Sequence, residues 1–471
     1  MPDATRLNST LPVVRVSDTG IDIVRMPPGL PPPVERQPAI IPASPAPLPV
    51  APPPPPPPQA QPQPTPAAPA PVQPAQPLGK TIKVPVQIGS LSTDGQKGWL
   101  GVKMESVDLP LALSLGRLNA DGALIIEATA GGPAGQAGLR LGDIIISYNG
   151  RTVPSMEDLR QQVSATSPNT LVMMDVWRIT TDDGDFLHTL RRLGDGGNAY
   201  VMYRLGRMYA TGNGVARDDT EGVRWLRKSA NAGNLQAMTA LAVALLDGQG
   251  TGKDPQEAVR LLKAAGDKGN VEAVYRMGGL LARGVAVEKD ALEAVRLFTK
   301  AAEAGHSPAM VDLGLMFNNG QGVQADHTKA AMWYKRAADL GNTYGMVNLG
   351  FLYQQGKGVE KDEVAAVNLY RRAANEGNPA GIHNLAAMYD SGRGLDHKDP
   401  EQAADLMLRS LELRNQFSYE QMTRNSNNWS RSFRMALQRK LRDVGVYNGR
   451  VDGNFRDTTF AAINAYVNRS R

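Results

Sequence analysis

Residues able to do acid, base or nucleophilic chemistry occur along this 471-residue chain, but they are not grouped. Five histidines (His188, His306, His327, His383 and His397) stand apart, with no pair at the i, i+4 spacing that sets two imidazoles on one helix face for a metal. No serine or acid partner can be assigned to any of them. Asp18-Thr19-Gly20 has the make-up of an aspartic-protease loop, yet that chemistry takes two such carboxylates across a dimer interface, and a turn is the simpler reading. The Gly-x-Gly segments lack the preceding strand and the following Lys-Ser/Thr of a phosphate loop. With no cysteine, thiolate metal sites, cysteine nucleophiles and disulfides are excluded. No catalytic, metal or cofactor residue is assigned, and no enzymatic activity is expected.

Chemistry here therefore reduces to binding, and the elements that present binding surfaces come next. A hydrophobic content of 42% over this length supports several packed cores. Net charge is +5, concentrated at the end, where residues 412–471 hold eleven Lys/Arg against five Asp/Glu. That distribution excludes the basic stripe of a nucleic-acid binder and suits contact of the tail with an anionic surface or polymer. Residues 1–20 show no basic start followed by an apolar run, and no stretch of about 18 apolar residues occurs, so neither a signal peptide nor a membrane span is expected.

Residues 9–25 alternate around Asp18-Thr19-Gly20, with Val14, Val16, Ile21 and Ile23 placed as in a small hairpin. Twenty-four of the 35 prolines then fall in Pro27–Pro77, a composition that buries no core and makes a semi-rigid spacer. From 97 to 193, short strands and helices are expected: a strand at Gly98-Trp99-Leu100-Gly101-Val102, a helix over Leu109–Leu118, and strands at Ala123–Ile126 and Asp143–Tyr148 with a turn at Asn149-Gly150. A helix over Met156–Val163 and closing strands near Leu171–Trp177 and Phe186–Leu190 complete the segment.

That order resembles the PDZ domain of the bacterial high-temperature-requirement serine proteases, through Trp99-Leu100-Gly101-Val102, the Gly-Pro-Ala-x-x-Ala-Gly-Leu segment from Gly132 to Leu139, Gly-Asp-Ile-Ile and Asn-Gly. The resemblance implies a groove in which backbone N–H groups of Trp99, Leu100, Gly101 and Val102 receive a peptide's C-terminal carboxylate while the peptide adds a strand to the sheet. Met156, Leu159 and Val163 would line the groove from the helix, although residues at that helical spacing are more often core than pocket. No nucleophile segment of the protease accompanies it.

From 197 the sequence repeats with a fixed period, Gly197, Gly233, Gly269, Gly305, Gly341 and Gly377 being 36 residues apart. In register with them run Leu205, Leu241, Met277, Leu313, Leu349 and Leu385, each followed by a small residue where a second helix must come close. The inter-helix loop repeats its glycines, and Asp218, Asp254, Asp290, Asp326 and Asp362 stand where a side chain can cap the second helix. Ala286 replaces the second loop glycine in the third unit. The units resemble Sel-one-like repeats, relatives of the tetratricopeptide repeat, which implies adaptor work for protein partners. The tail resembles a small three-helix peptidoglycan-binding domain through Leu-Gln-x-x-Leu, Gly-x-Tyr-Asn-Gly and Val-Asp-Gly-x-Phe. In that case Asn448, Asp452 and Arg456 are the glycan-binding candidates; a repurposed domain that caps the last repeat is the alternative.

The expected fold is thus multidomain: a short N-terminal segment (1–26), a disordered Pro-rich linker (27–80), an α+β PDZ-like domain (81–195), an α-solenoid of six helix-pair repeats (196–412), a linker (413–428) and an all-α domain (429–471). Its expected function is that of a non-enzymatic scaffold, needing no cofactor, with protein partners, peptide C-termini and peptidoglycan as ligands, in the periplasm or cell envelope. The alternatives are a substrate-recruiting part of a proteolytic system whose catalytic domain is absent from the chain and, for location, the cytoplasm.

Overall fold

The computed structural model describes residues 13–17, 20–24, 78–90, 97–180 and 186–469. Most of the Pro-rich stretch expected as a linker lies outside the described residues, as does the Asp18-Thr19 turn. Strands β1 (Val13–Ser17) and β2 (Gly20–Val24) pair antiparallel, with Val14 opposite Ile23 and Val16 opposite Ile21.

The next unit is a sheet. Its strands are β3 (Gly79–Gln87), the small pair β4 (Gly89–Ser90) and β5 (Gly98–Trp99), β6 (Val102–Ser106), β7 (Ala123–Ala128), β8 (Ile144–Tyr148), β9 (Arg151–Thr152) and β10 (Leu171–Ile179). The main path is β3-β10-β8-β7-β6, with β9 folded back on β8, so β6 forms one edge. Asn149 and Gly150 both take positive φ, the conformation of a two-residue hairpin turn. Helices α1 (Leu109–Ser114), α2 (Pro133–Gln136) and α3 (Met156–Ser164) complete the unit. One face of the sheet, with Val86, Ile125 and Ile145, packs on Leu159 and Val163 of α3.

Phe186–Leu190 is not a strand. It begins helix α4 (Phe186–Asp195), because Phe186 and Leu190 at i, i+4 can both be buried on one helical face. They join Leu124, Ile144 and Trp177 of the sheet and Leu205 and Trp225 of the first repeat in one core. The sheet position is filled instead by β3, which the sequence pattern left unassigned and which pairs with β10 along its whole length. The PDZ-like unit and the first repeat therefore share a core.

The array consists of α5 (Ala199–Thr211), α6 (Asp219–Asn231), α7 (Leu235–Asp247), α8 (Pro255–Asp267), α9 (Val271–Arg283), α10 (Ala291–Glu303), α11 (Ser307–Asn319), α12 (His327–Asp339), α13 (Thr343–Gln355), α14 (Glu363–Asn375), α15 (Pro379–Ser391) and α16 (Pro400–Glu412). Each of the five aspartates caps its second helix, as Asp326 does by accepting from the Lys329 amide at 2.9 Å. A second set of caps, for which the sequence reading made no assignment, accompanies them. Asn198, Asn234, Asn270, His306, Asn342 and Asn378 start the first helices. Asn342 and Asn378 also reach the preceding unit, donating to Ser307 Oγ at 3.0 Å and Thr343 Oγ1 at 2.9 Å. The small residues do admit the second helix: a Cβ on Gly314 would lie 2.5 Å from the Tyr334 ring, and one on Gly350 2.8 Å from Tyr370.

Residues 413–428, expected as a linker, form α17 (Gln416–Arg424) and a 3-10 turn. Asn415 caps α17 just as the other asparagines cap theirs, which makes α17 a shortened first helix of a seventh unit. Two helices follow, α18 (Arg431–Asp443) and α19 (Asp457–Asn468), rather than three within 429–471; α18 packs on α16 of the last repeat, and α19 on α16, α17 and α18.

Candidate functional site

The loop from β5 to β6 carries the binding candidates, and its backbone directions follow from its hydrogen bonds. The Leu100 carbonyl accepts from the Ala134 amide at 3.0 Å and the Gly101 carbonyl from the Thr129 amide at 2.8 Å. In a trans peptide the N–H points opposite the preceding C=O, so the amides of Gly101 and Val102 point away from α2 and β7. They face the side of β6 that no strand occupies among the described residues. Gly101 holds φ at +74°, and a Cβ there would sit 3.2 Å from the Trp99 ring; glycine serves both conditions.

The seven candidates divide. Leu100, Gly101, Leu159 and Val163 are buried, and Trp99, Val102 and Met156 are half-buried along the open edge. Met104 on β6 packs beside Val102 and Met156 on the same core and belongs with them; the alternation of β6 was the signal for it. The intervening residues turn to the array. Lys103 donates to Asn213 Oδ1 at 2.5 Å, and Glu105 pairs with Arg204 at 2.8 Å. The edge strand is thus pinned from one face, while its other face stays beside α3.

The Gly-Asp-Ile-Ile motif is structural. Asp143 is buried and takes a two-pronged bond from Arg178, Nε to Oδ1 at 2.7 Å and Nη2 to Oδ2 at 2.6 Å. It also accepts from the Arg140 amide at 3.0 Å. This bond holds the Arg178 guanidinium charged more firmly than usual.

In the C-terminal unit, the glutamine of Leu-Gln-x-x-Leu organises the double turn. Gln438, fully buried, donates to Tyr447 Oη at 3.1 Å and Thr459 Oγ1 at 3.2 Å and accepts from the Gly453 amide at 2.8 Å. Of the glycan candidates, Asn448 and Arg456 are exposed, and Asp452 bonds Arg456 at 3.0 Å. The Asn454 amide and then Arg456 hold the Asp452 carboxyl down to about 2. Phe433, Leu437 and Trp429 share one core with Met407 and Leu411 of α16, so this unit covers the end of the array. His383 is enclosed at this junction, bonded to Ser418 at 2.8 Å beside Phe417 and Trp429, and burial lowers its pKa to about 3.

The described residues contain no group of three or more metal-ligating side chains, and no helix there is long and apolar enough to cross a membrane. The architecture is that of helical repeat proteins built for protein contacts. A PDZ-domain family model matches residues 124–178, and a Sel1-repeat model matches six successive units from 199–234 to 379–415. The chain carries a PDZ domain followed by six Sel1 repeats, both non-catalytic interaction modules. Among curated proteins it is similar to a probable periplasmic serine endoprotease DegP-like of Rhizobium meliloti, 39% identical over 93 residues, which is 19% of this chain and 18% of the relative. The DegP-like protein of Bartonella henselae is 40% identical over 83 residues, 18% of this chain and 16% of that protein. The chain thus spans less than a fifth of these relatives, and the likeness covers the PDZ region without reaching a protease domain. Among solved structures, a Sel1 repeat protein from Oxalobacter formigenes is 27% identical, covering 45% of this chain and 85% of that one, at a TM-score of 0.43. The protective antigen c5321 of uropathogenic Escherichia coli is 26% identical, covering 61% and 64%, at 0.47.

Proposed function

We propose that the protein is an envelope scaffold whose PDZ domain captures the free C-terminus of a partner along β6 while the repeats hold folded protein. The observation that carries this reading is the direction of the Gly101 and Val102 amides, which both leave the loop on the unpaired side of the edge strand. A carboxylate there would gain charge-assisted bonds, and the peptide's backbone would extend the sheet between β6 and α3. The half-buried Val102, Met104 and Met156 favour an apolar terminal side chain.

The C-terminal unit would touch peptidoglycan through Asn448, Asp452 and Arg456, a reading supported by the exposed double turn that Gln438 fixes. The periplasmic location stated for the DegP-like relatives supports the envelope as the compartment. Immobilised peptides with free apolar C-termini should retain the full chain, and amidated versions should bind at least about tenfold more weakly, a loss of about 1.4 kcal/mol. Equal retention of both would defeat the carboxylate reading. Co-sedimentation with purified cell-wall sacculi, lost in Asp452→Ala/Arg456→Ala, tests the wall contact separately.

A further inference from the structure

The first helices of the repeats differ along the array. In α5 and α9 the buried residues are interrupted by partly exposed positions, as a single core-facing stripe requires. In α11, eight consecutive residues from Ala309 to Met316 are buried, and in α13 six from Gly345 to Gly350. A helix buried on all sides has something against both faces. For α15 the second cover is α17 and Trp429, which meet His383. For α11 and α13 it is strand β1, whose backbone lies against both helices.

The column of residues one unit apart tells the same story. Arg204 and Arg276 are partly exposed, whereas Asn348 at the equivalent position of α13 is only 3% exposed. Its amide nitrogen is buried and has no hydrogen-bond partner. The hairpin, for its part, cannot stand alone: a two-stranded ribbon of ten paired residues is marginal in water and needs a surface.

We infer that the faces of α11 and α13 form a groove whose occupant is the chain's own hairpin, β1 and β2, docked there reversibly. The proposal is independent of the PDZ edge.

The absence of cysteine allows a single nitroxide to be attached at Ser17→Cys of the full chain. With methyl-labelled methionines, the signals of Met310, Met316 and Met346, on α11 and α13, should lose at least about two thirds of their intensity, while Met202 on α5 keeps its own. Adding excess synthetic peptide of residues 13–24 should restore the lost signals, and a scrambled peptide should not. Undiminished Met310, Met316 and Met346 signals would overturn the docking. Broadening that no concentration of the peptide relieves would make the hairpin a fixed part of the fold and overturn the reversible docking.

Discussion

The PDZ domain and the repeat array solve the same problem, presenting a stable binding surface, with opposite economies of contact. The sheet depends on singular long-range bonds: Arg178 reaches Asp143 across 35 residues, and β3 reaches β10 across more than 80. The array repeats one short-range set, an Asp cap, an Asn cap and a glycine loop, in unit after unit. Loss of one contact should therefore be catastrophic in the first region and graded in the second.

The largest effect follows from Asp143→Ala. It strands the Arg178 guanidinium beside the Gly138 carbonyl and should cost about 3 kcal/mol. Near-ultraviolet circular dichroism in urea should show early loss of the Trp99 and Trp177 environments while far-ultraviolet helix signal persists. Coincident loss of both would mean that the shared core under α4 makes PDZ and array one cooperative unit.

Next comes Gly358→Ala. The new Cβ would lie 2.2 Å from the His327 carbonyl carbon of the preceding unit, and φ is +67° to +69° at both loop glycines, Gly356 and Gly358. The expected cost is about 2 kcal/mol, read as a lower urea midpoint with an unchanged PDZ signal. The reverse experiment exists in the chain itself. Ala286, the substitute in the third unit, holds φ at +63°, and Ala286→Gly should raise stability by about 0.5 kcal/mol.

The period, the paired helices and the Asp caps were legible because each rests on local spacing, and the PDZ segment was legible through its resemblance, apart from β3 and the run at Phe186. What escaped was whatever depended on distant partners. Phe186 and Leu190 form a short apolar run that strand and helix share, and only the core it meets decides between them. The seventh unit escaped because Asn415 arrives 37 residues after Asn378 and no loop glycine follows α17. At the candidate site, the loop was legible from its motif, and the helical spacing of Leu159 and Val163 already favoured the core that they join, whereas the burial of Leu100 between the half-buried Trp99 and Val102 depends on the sheet core it meets.

A smaller effect concerns acid. His383 is neutral in the fold with its pKa lowered to about 3, against 6.5 in the unfolded chain, so the unfolded state binds the extra proton. Its contribution is whole above pH 6.5 and declines as pH falls toward 3, by at most about 1.4 kcal/mol per pH unit. His383→Gln should flatten that decline in urea melts between pH 6.5 and 4 relative to the parent chain. An unchanged slope would move the acid sensitivity elsewhere.

The central claim is that backbone amides at the open edge of the PDZ sheet receive a carboxylate. Amide resonances of the full chain, followed while a peptide with a free apolar C-terminus is added, address those donors individually. The account predicts that the Gly101 and Val102 amide protons move downfield and saturate with the free peptide but stay in place with its amidated form. Movement confined to the repeats, or identical shifts with both peptides, would contradict it.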